Sequence, residues 1–413
     1  MIKAQKQQYY LKKQLARWRE HGSIWFIRRL FFLILRLIVK LLLLPLALVA
    51  YLLGLRRVNV AGQYIGHLAS EPDCLLKLIH LNLLPKKRYF ITASSKTTSN
   101  RCLLEYWRNH ITIITNPILR FLLSTISSHR FTKLDTTSFV TTETTSARYY
   151  EVNSLWGKRP PLLSLSHLHR TQGYEVLHRL GLPKDAWYVC LHVRESGYVR
   201  ETDHIHAYRN ADINNYHAAI NTIASHGGWV IRMGDQTMKK LNGIPNFIDY
   251  AHSAEKSEWM DVFLCAESKL FLGNTSGLFL TSTAFGIPCA LVNMTPLAAQ
   301  AFGSNDIYIP KLLRDKKSGR YLKFSEVLQS PAANFRDSIL FINAGLELEE
   351  NSPEDINDLV QEALLRIKKQ WSSSPEDEER QMNFKRLFRE GHYGYKGQSR
   401  LGSSFIAKYE HLI

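Results

Sequence analysis

Cysteine is scarce in this chain and forms no pattern. The five residues Cys74, Cys102, Cys190, Cys265 and Cys289 are odd in number and show no C-x-x-C or zinc-finger spacing. This argues against a disulfide framework and a structural zinc site, and free thiols suit a reducing compartment. Familiar nucleotide and metal signatures are missing as well. No G-x-G-x-x-G joins a strand to a helix, no G-x-x-x-x-G-K-[ST] occurs, and there is no H-E-x-x-H, which argues against dinucleotide, P-loop and zinc-protease chemistry. No two aspartates stand one residue apart, so a paired-carboxylate clamp for a metal is absent. No repeat with a period of 20–50 residues is present.

Acid is missing from the start of the chain. The first 57 residues hold one acid, Glu20, against twelve Lys and Arg, a net of +11; the remaining 356 hold 41 basic and 35 acidic residues, a net of +6, making +17 overall. A charge of that size points to an anionic partner. Its concentration at one end argues against a broad nucleic-acid face and for an anionic membrane surface.

The same segment carries an apolar run from Leu30 to Leu55, interrupted by Arg36 and Lys40. Residues 41–55 carry no charge and span about 22 Å as a helix, short of a hydrocarbon core of about 30 Å. Extended back to Leu30, the run is long enough to cross. Arg29, Arg36 and Lys40 then share one helical face, which suits a helix lying in the interface. Pro45 is a natural break between an interfacial helix and a short dipping helix. The long charged stretch ahead and the lack of an Ala-x-Ala site argue against a signal peptide. A membrane anchor over residues 1–57 is expected, with spanning and monotopic forms both open.

The body alternates strands and helices. Short apolar runs at Val58–Val60, Tyr89–Thr92 and Ile111–Thr115 give a first α/β region, followed by a Ser/Thr/Pro-rich stretch over 141–175 that reads as a loop or crossing segment. Beyond it, strands are expected at Trp187–Val193, Gly228–Met233, Phe247–Tyr250, Leu270–Gly273, Cys289–Val292 and Ile307–Ile309, with helices at Asp212–Ser225, Glu258–Ala266, Leu278–Phe285 and Thr295–Ala301. This order predicts parallel, doubly wound sheets. Ser352-Pro353-Glu354-Asp355 starts a helix reaching about Lys369. Residues 372–380 read as a polar linker. The expected organisation is an anchor (1–57), two Rossmann-like α/β domains (58–175 and 176–345) and a helical tail (346–413).

Ligands in such sheets bind beyond the carboxyl ends of the strands. The first strand of the second domain ends in His192-Val193-Arg194, with the His and Arg side chains on one face. The second ends in Arg232-Met233-Gly234-Asp235. The Leu270–Gly273 strand runs into Asn274-Thr275-Ser276-Gly277 ahead of an apolar helix. Two strand-end arginines and a small-residue loop at a helix N-terminus suit a pyrophosphate. Each feature alone is more often a salt bridge or a turn; the placement at successive strand ends is what singles them out.

The segments LHVRESGY, YRNADINNY, GGWVIRMGD, FIDYAHSAEKSEWMDVFL, FLGNTSGLFLTSTAFGIP and VNMTP resemble a family of bacterial glycosyltransferases that accompany surface-polysaccharide genes. The match covers roughly residues 58–345. The His-Val-Arg strand is also similar to that of the fucosyltransferase-type GT-B enzymes, core α1,6- and protein O-fucosyltransferases among them. Those continue Arg-Arg or Arg-x-x-Asp, whereas this chain continues Glu195-Ser196-Gly197. The resemblance implies a GT-B-like fold with the nucleotide-sugar in the C-terminal half, no metal or other cofactor, and inversion at the anomeric carbon. It places Arg194 on the donor β-phosphate with His192 beside it, and matches the Ser276 loop to the small-residue loop on the phosphates.

Leaving-group charge then falls to Arg194, Arg232 and the Ser276 loop, with Arg209 as a further cation. Candidate bases for the acceptor hydroxyl are Glu195 and Glu201, just past the His-Val-Arg strand, and His67 and Glu71, in a Gly-His stretch that resembles the acceptor-side loop of GT-B enzymes. Asp249 and Asp261 contact the nucleoside or cap turns. The expected activity is membrane-associated transfer of a sugar from a nucleotide-sugar donor to a lipid-linked or cell-surface glycan acceptor, at the cytosolic face of the inner or plasma membrane. The alternatives are a nucleotide-sugar epimerase on the same fold and a non-catalytic membrane module for polysaccharide assembly.

Overall fold

Runs of Val, Ile, Leu and Phe too short for helices fold as buried parallel strands in the computed structural model of the chain, which describes residues 22–35, 37–129, 131–135, 143–197 and 203–413. In chain order the elements are α1 (Gly22–Leu42), α2 (Leu44–Leu52), β1 (Leu55–Asn59), α3 (Ile65–His80), β2 (Arg88–Thr92), α4 (Arg101–Arg108), β3 (Thr112–Ile114), α5 (Pro117–Ile126) and β4 (Lys133–Asp135). Next come α6 (Glu143–Trp156), α7 (His167–Arg179), β5 (Tyr188–His192), α8 (Asp203–His206), α9 (His217–Ser225), β6 (Trp229–Arg232), β7 (Phe247–Ile248), α10 (Glu258–Glu267), β8 (Leu270–Gly273) and α11 (Phe279–Ala284). The chain finishes with β9 (Cys289–Met294), β10 (Ile307–Pro310), β11 (Leu312–Asp315), α12 (Phe324–Gln329), α13 (Ser338–Asn343), β12 (Leu346–Glu349), α14 (Pro353–Ile367), α15 (Pro375–Arg386), β13 (Arg400–Leu401) and α16 (Ser403–Lys408).

The chain divides into two compact units that interleave in sequence: residues 1–59, 87–93 and 112–134 form the first, and 60–86, 94–111 and 135–413 the second. The first unit holds a four-stranded sheet ordered β3-β2-β1-β4, in which β1–β2 and β2–β3 are parallel. Val58, Phe90, Ile91 and Ile113 are buried in it, and α2 and α5 touch both it and each other. No single helix among the described residues is long and apolar enough to cross a membrane; α1 and α2 meet that test only as a pair bent by 50°. The bend falls at Leu43, with Pro45 in the first turn of α2, close to where the proline is expected to break the run.

The second unit is built on seven strands in the order β13-β10-β9-β8-β5-β6-β7, parallel at every pairing. Strands β8, β9 and β10 are buried along their whole length, as strands covered on both faces must be. From β5 the chain winds outward through β6 and β7, then returns to the other side of β5 with β8, β9 and β10. The gap between the ends of β5 and β8 is therefore the topological switch point of the sheet.

Three local expectations are corrected. The Ser/Thr/Pro-rich stretch carries helices α6 and α7, and one of its serines caps the second: Ser166 Oγ accepts from His169 N at 3.2 Å. The second Ser-Pro-Glu-Asp starts α15 just as the first starts α14, with Ser374 and Ser352 Oγ each accepting the N3 amide at 3.2 Å; the supposed linker is a helix start. Residues 295–301 form a turn instead of a helix, because their backbone groups bond to other segments: Ala298 N donates to Ala333 O at 3.0 Å, and Ala298 O accepts from Gly394 N at 2.6 Å. The tail beyond residue 383 supplies β13, which extends the sheet beside β10 in parallel register.

Candidate active site

At the switch point, register brings His192 opposite Gly273, so the two strand ends present their following loops side by side. The buried Asn274 side chain clamps them. Its Oδ1 accepts from Arg194 N and its Nδ2 donates to Arg209 O, both at 3.0 Å, while Ala211 N donates to Arg194 O at 3.0 Å. Asn274 is thus a positioning residue for both arginines. Thr275 Oγ1 accepts from Thr295 N at 3.0 Å, fixing the loop to the end of β9. Ser276 is buried, and its Oγ has no partner among the described residues.

The cations converge here. Burial pushes Arg209 down to about 10, with Arg194 and Arg336 adding repulsion against the partial support of Tyr208. His206 is held down to about 4 by burial and then by Arg209, Arg194 and Arg336, with Asp337 opposing. His192 is held down to about 4 by burial and then by Arg194, with Asp235 opposing. Arg209 Nε, His192 Nδ1 and His206 Nδ1 are enclosed without an acceptor or donor among the described residues. Like charges held together in a desolvated place are costly unless an anion completes them.

The base candidates separate. Helix α3 starts at the loop itself. A Cβ on Gly66 would lie 2.8 Å from Gly277 Cα, and one on Gly277 would lie 2.9 Å from Gly66 N, so two glycines let the first turn of α3 touch the Ser276–Gly277 backbone. The next residue is His67, whose Nδ1 lies 2.8 Å from Glu71 Oε1 one turn on. Glu71 is wholly buried and its Oε2 accepts from Ala61 N at 3.0 Å. The His67 side chain is about one-fifth exposed. Pro72 deprives the Leu68 carbonyl of its helical donor, and Trp107 Nε1 replaces it at 2.9 Å, which anchors the helix.

Glu195, Arg232 and Asp249 do not join this site. Arg232 is fully buried and pairs with Glu195 at 2.7 Å and Asp249 at 3.4 Å; Glu195 also accepts from Lys239 N at 2.8 Å and Asp249 from Leu241 N at 3.0 Å. A guanidinium with no solvent exposure and two carboxylates beside it is an internal counter-ion set, so Arg232 and Asp249 leave the donor-binding group and Glu195 leaves the base candidates. Asp235 caps an exposed turn through Thr237 N at 2.8 Å, and Asp261 pairs with Lys256 at 2.9 Å. Glu201 lies outside the described residues. Helix α11 has six residues, begins at Phe279 and has no side-chain cap, so the expected helix N-terminus does not lie at Ser276.

Arg336 and His206 are the additions. Arg336 follows a 3-10 turn at Pro331–Asn334 and stacks on Tyr393 with its guanidinium 4.8 Å from the ring centre. It ends no strand and belongs to no motif, so nothing in the sequence singles it out. Among the described residues no group of three or more His, Cys, Asp or Glu is placed to hold a metal ion.

No family model matches the chain, and no curated protein matches it in sequence. Among solved structures it is similar to a glycosyl transferase family 9 protein from Veillonella parvula, at 10% identity over 76% of this chain and 97% of that one, with a TM-score of 0.46. It is also similar to E. coli ADP-heptose LPS heptosyltransferase II, at 12% identity over 62% and 91%, TM-score 0.42. A third is E. coli heptosyltransferase WaaC with ADP-2-deoxy-2-fluoro heptose, at 13% identity over 62% and 92%, TM-score 0.34.

Proposed function

We propose that the chain is a membrane-associated glycosyltransferase that moves a sugar from a nucleotide-sugar to a lipid-linked or cell-envelope glycan at the cytosolic face of the membrane. The observation that carries this reading is the convergence of Arg194, Arg209 and Arg336 at the β5–β8 switch point, beside the His67–Glu71 pair. One group is suited to a diphosphate and the other to a proton.

The reaction is a single displacement. Glu71 accepts from His67 Nδ1–H, which leaves Nε2 as the base. Nε2 takes the proton of the acceptor hydroxyl as its oxygen attacks the anomeric carbon, and the bond from that carbon to the nucleoside diphosphate breaks on the opposite face, giving inversion. The electron pair leaves on the diphosphate, where the three arginines and Ser276 Oγ–H stabilise it. Cations in these positions supply the charge that a divalent metal supplies elsewhere, so turnover is expected to persist in EDTA. The basic N-terminal segment holds this chemistry near a lipid-bound acceptor.

The test is a thermal-shift screen of the full chain against GDP-, UDP-, ADP-, CMP- and dTDP-sugars. One nucleotide class is expected to raise the melting temperature, and Arg194→Ala to abolish the shift. Indifference to every nucleotide would overturn the proposal.

A further inference from the structure

The fold concentrates charge more sharply than the sequence order does. The first compact unit, residues 1–59, 87–93 and 112–134, contains 17 Lys and Arg and one acid, a net of +16; the rest of the chain has 36 basic and 35 acidic residues, a net of +1. The N-terminal helices do not account for all of that. Lys87, Arg88, Arg120, Arg130 and Lys133 come from other parts of the chain, and no acid occurs between Glu105 and Asp135.

The same unit contains a second apolar helix. α5 has no buried residue. Ile118, Leu119, Phe121 and Leu122 are 71%, 50%, 65% and 40% exposed, and their spacing puts them on one face. A ten-residue helix is marginal in water without a packed face, so this one is a face awaiting a partner. Its start is well made: Pro117 occupies the first turn, and Asn116 Oδ1 accepts from Ile118 N and Leu119 N at 3.0 and 3.1 Å. α5 touches α2, where Leu46, Leu48, Val49 and Leu52 are also exposed. The chain leaving α5 is tied to α1 and α2. His129 Nε2 lies 3.1 Å from Lys40 O, the His129 ring stacks on Phe131, and Phe131 meets Tyr51 edge-on at 5.5 Å. An apolar face of this kind, flanked by cations and free of acids, matches the boundary between headgroups and acyl chains of an anionic bilayer.

We infer that α5 is a second membrane-inserting element, which docks with α2 on an anionic phospholipid surface and fixes the orientation of the unit there. This rests on the membrane association proposed above and adds a contact that the N-terminal anchor does not supply. It is tested on the full chain in a Cys102→Ser background, with an environment-sensitive fluorophore on Phe121→Cys and, as control, on the exposed Lys317→Cys of the second unit. Mixed phosphatidylglycerol–phosphatidylcholine vesicles are expected to brighten and blue-shift the label at 121 and leave that at 317 unchanged. Phe121→Asp with Leu122→Asp is expected to weaken vesicle partition at least tenfold while nucleotide-sugar binding stays as in the parent. A chain that binds vesicles with the label at 121 still wet, and with the double variant binding normally, overturns this inference and leaves the anchor standing. A blue shift that appears without vesicles and grows with protein concentration makes α5 a self-association surface and also overturns it. Indifference of the whole chain to vesicles removes membrane association itself, with sugar transfer tested separately.

Discussion

Replacing Arg209 by Met should make the empty protein more stable and the donor complex weaker. The side chain is mostly enclosed, its Nε has no acceptor among the described residues, and burial with repulsion from Arg194 and Arg336 brings it well below the usual guanidinium range, to about 10. At 1.36 kcal/mol per tenfold change in proton affinity, that is an upper bound of about 3 kcal/mol for holding the charge there. Screening by nearby solvent and the lost stacking of its guanidinium on Tyr208, at 5.7 Å, leave a net gain of about 1 kcal/mol in Arg209→Met. Met keeps the volume of the stem and removes the charge. The melting temperature of the ligand-free protein should therefore rise by about 2 °C. Donor affinity should fall, because a charge-assisted hydrogen bond to phosphate contributes about 1.5–3 kcal/mol, a factor of about 10 to 150 in Kd. Differential scanning calorimetry and isothermal titration with the nucleotide-sugar identified by the screen read the two effects separately. A variant that loses stability as well as affinity would make Arg209 a structural residue. One that binds donor normally would remove it from the site.

Three further outcomes follow from the same geometry. His67→Ala should lower kcat by a factor of about 10² to 10⁴ with donor Kd little changed, measured as nucleoside diphosphate release; equal losses in kcat and donor affinity would contradict a role in proton transfer. Glu195→Ala leaves the fully buried Arg232 with one carboxylate, Asp249, at 3.4 Å. It should cost about 3–5 kcal/mol of stability, whereas a Glu195 base would show lost turnover at normal stability. His192 and His206 remain neutral to about pH 4 in the empty site. A bound diphosphate offsets the arginines and raises both, so binding takes up protons and tightens as pH falls from 8 toward 5.5. Titrations in buffers of different ionisation enthalpy measure that uptake, and binding that weakens over the same range would refute it.

Much of the seven-stranded sheet was legible because fully buried parallel strands are uninterrupted apolar runs. Leu270–Gly273 falls where the sequence puts it, and Cys289–Met294 runs two residues further. The switch-point residues His192, Arg194 and Asn274–Gly277 could be read because strand ends are where such sheets present ligands. Arg232 misled for the same reason. It is the last residue of β6, opposite Leu191, whereas Arg194 lies two residues past the end of β5, and the tertiary placement of Glu195 and Asp249 shows that its charge is internal. Arg336 could not be read at all, since it reaches the cluster from a loop more than a hundred residues away in sequence. Asn274 looked like one more small polar loop residue. Its role depends on two backbone atoms, Arg194 N and Arg209 O, that only folding brings within reach of one amide. The interleaving of the two units is a property of long-range packing and leaves no local mark.

The central claim is that a diphosphate leaves from the β5–β8 switch point as a sugar is transferred to a glycan acceptor. The most direct measurement is transfer of labelled sugar from nucleotide-sugar to membrane-extracted lipid-linked glycan by the full chain, compared with Arg194→Ala shown by calorimetry to be folded. Acceptor-dependent transfer by the parent chain and loss of both transfer and nucleotide binding in the variant are predicted. Undiminished transfer by Arg194→Ala would contradict the account.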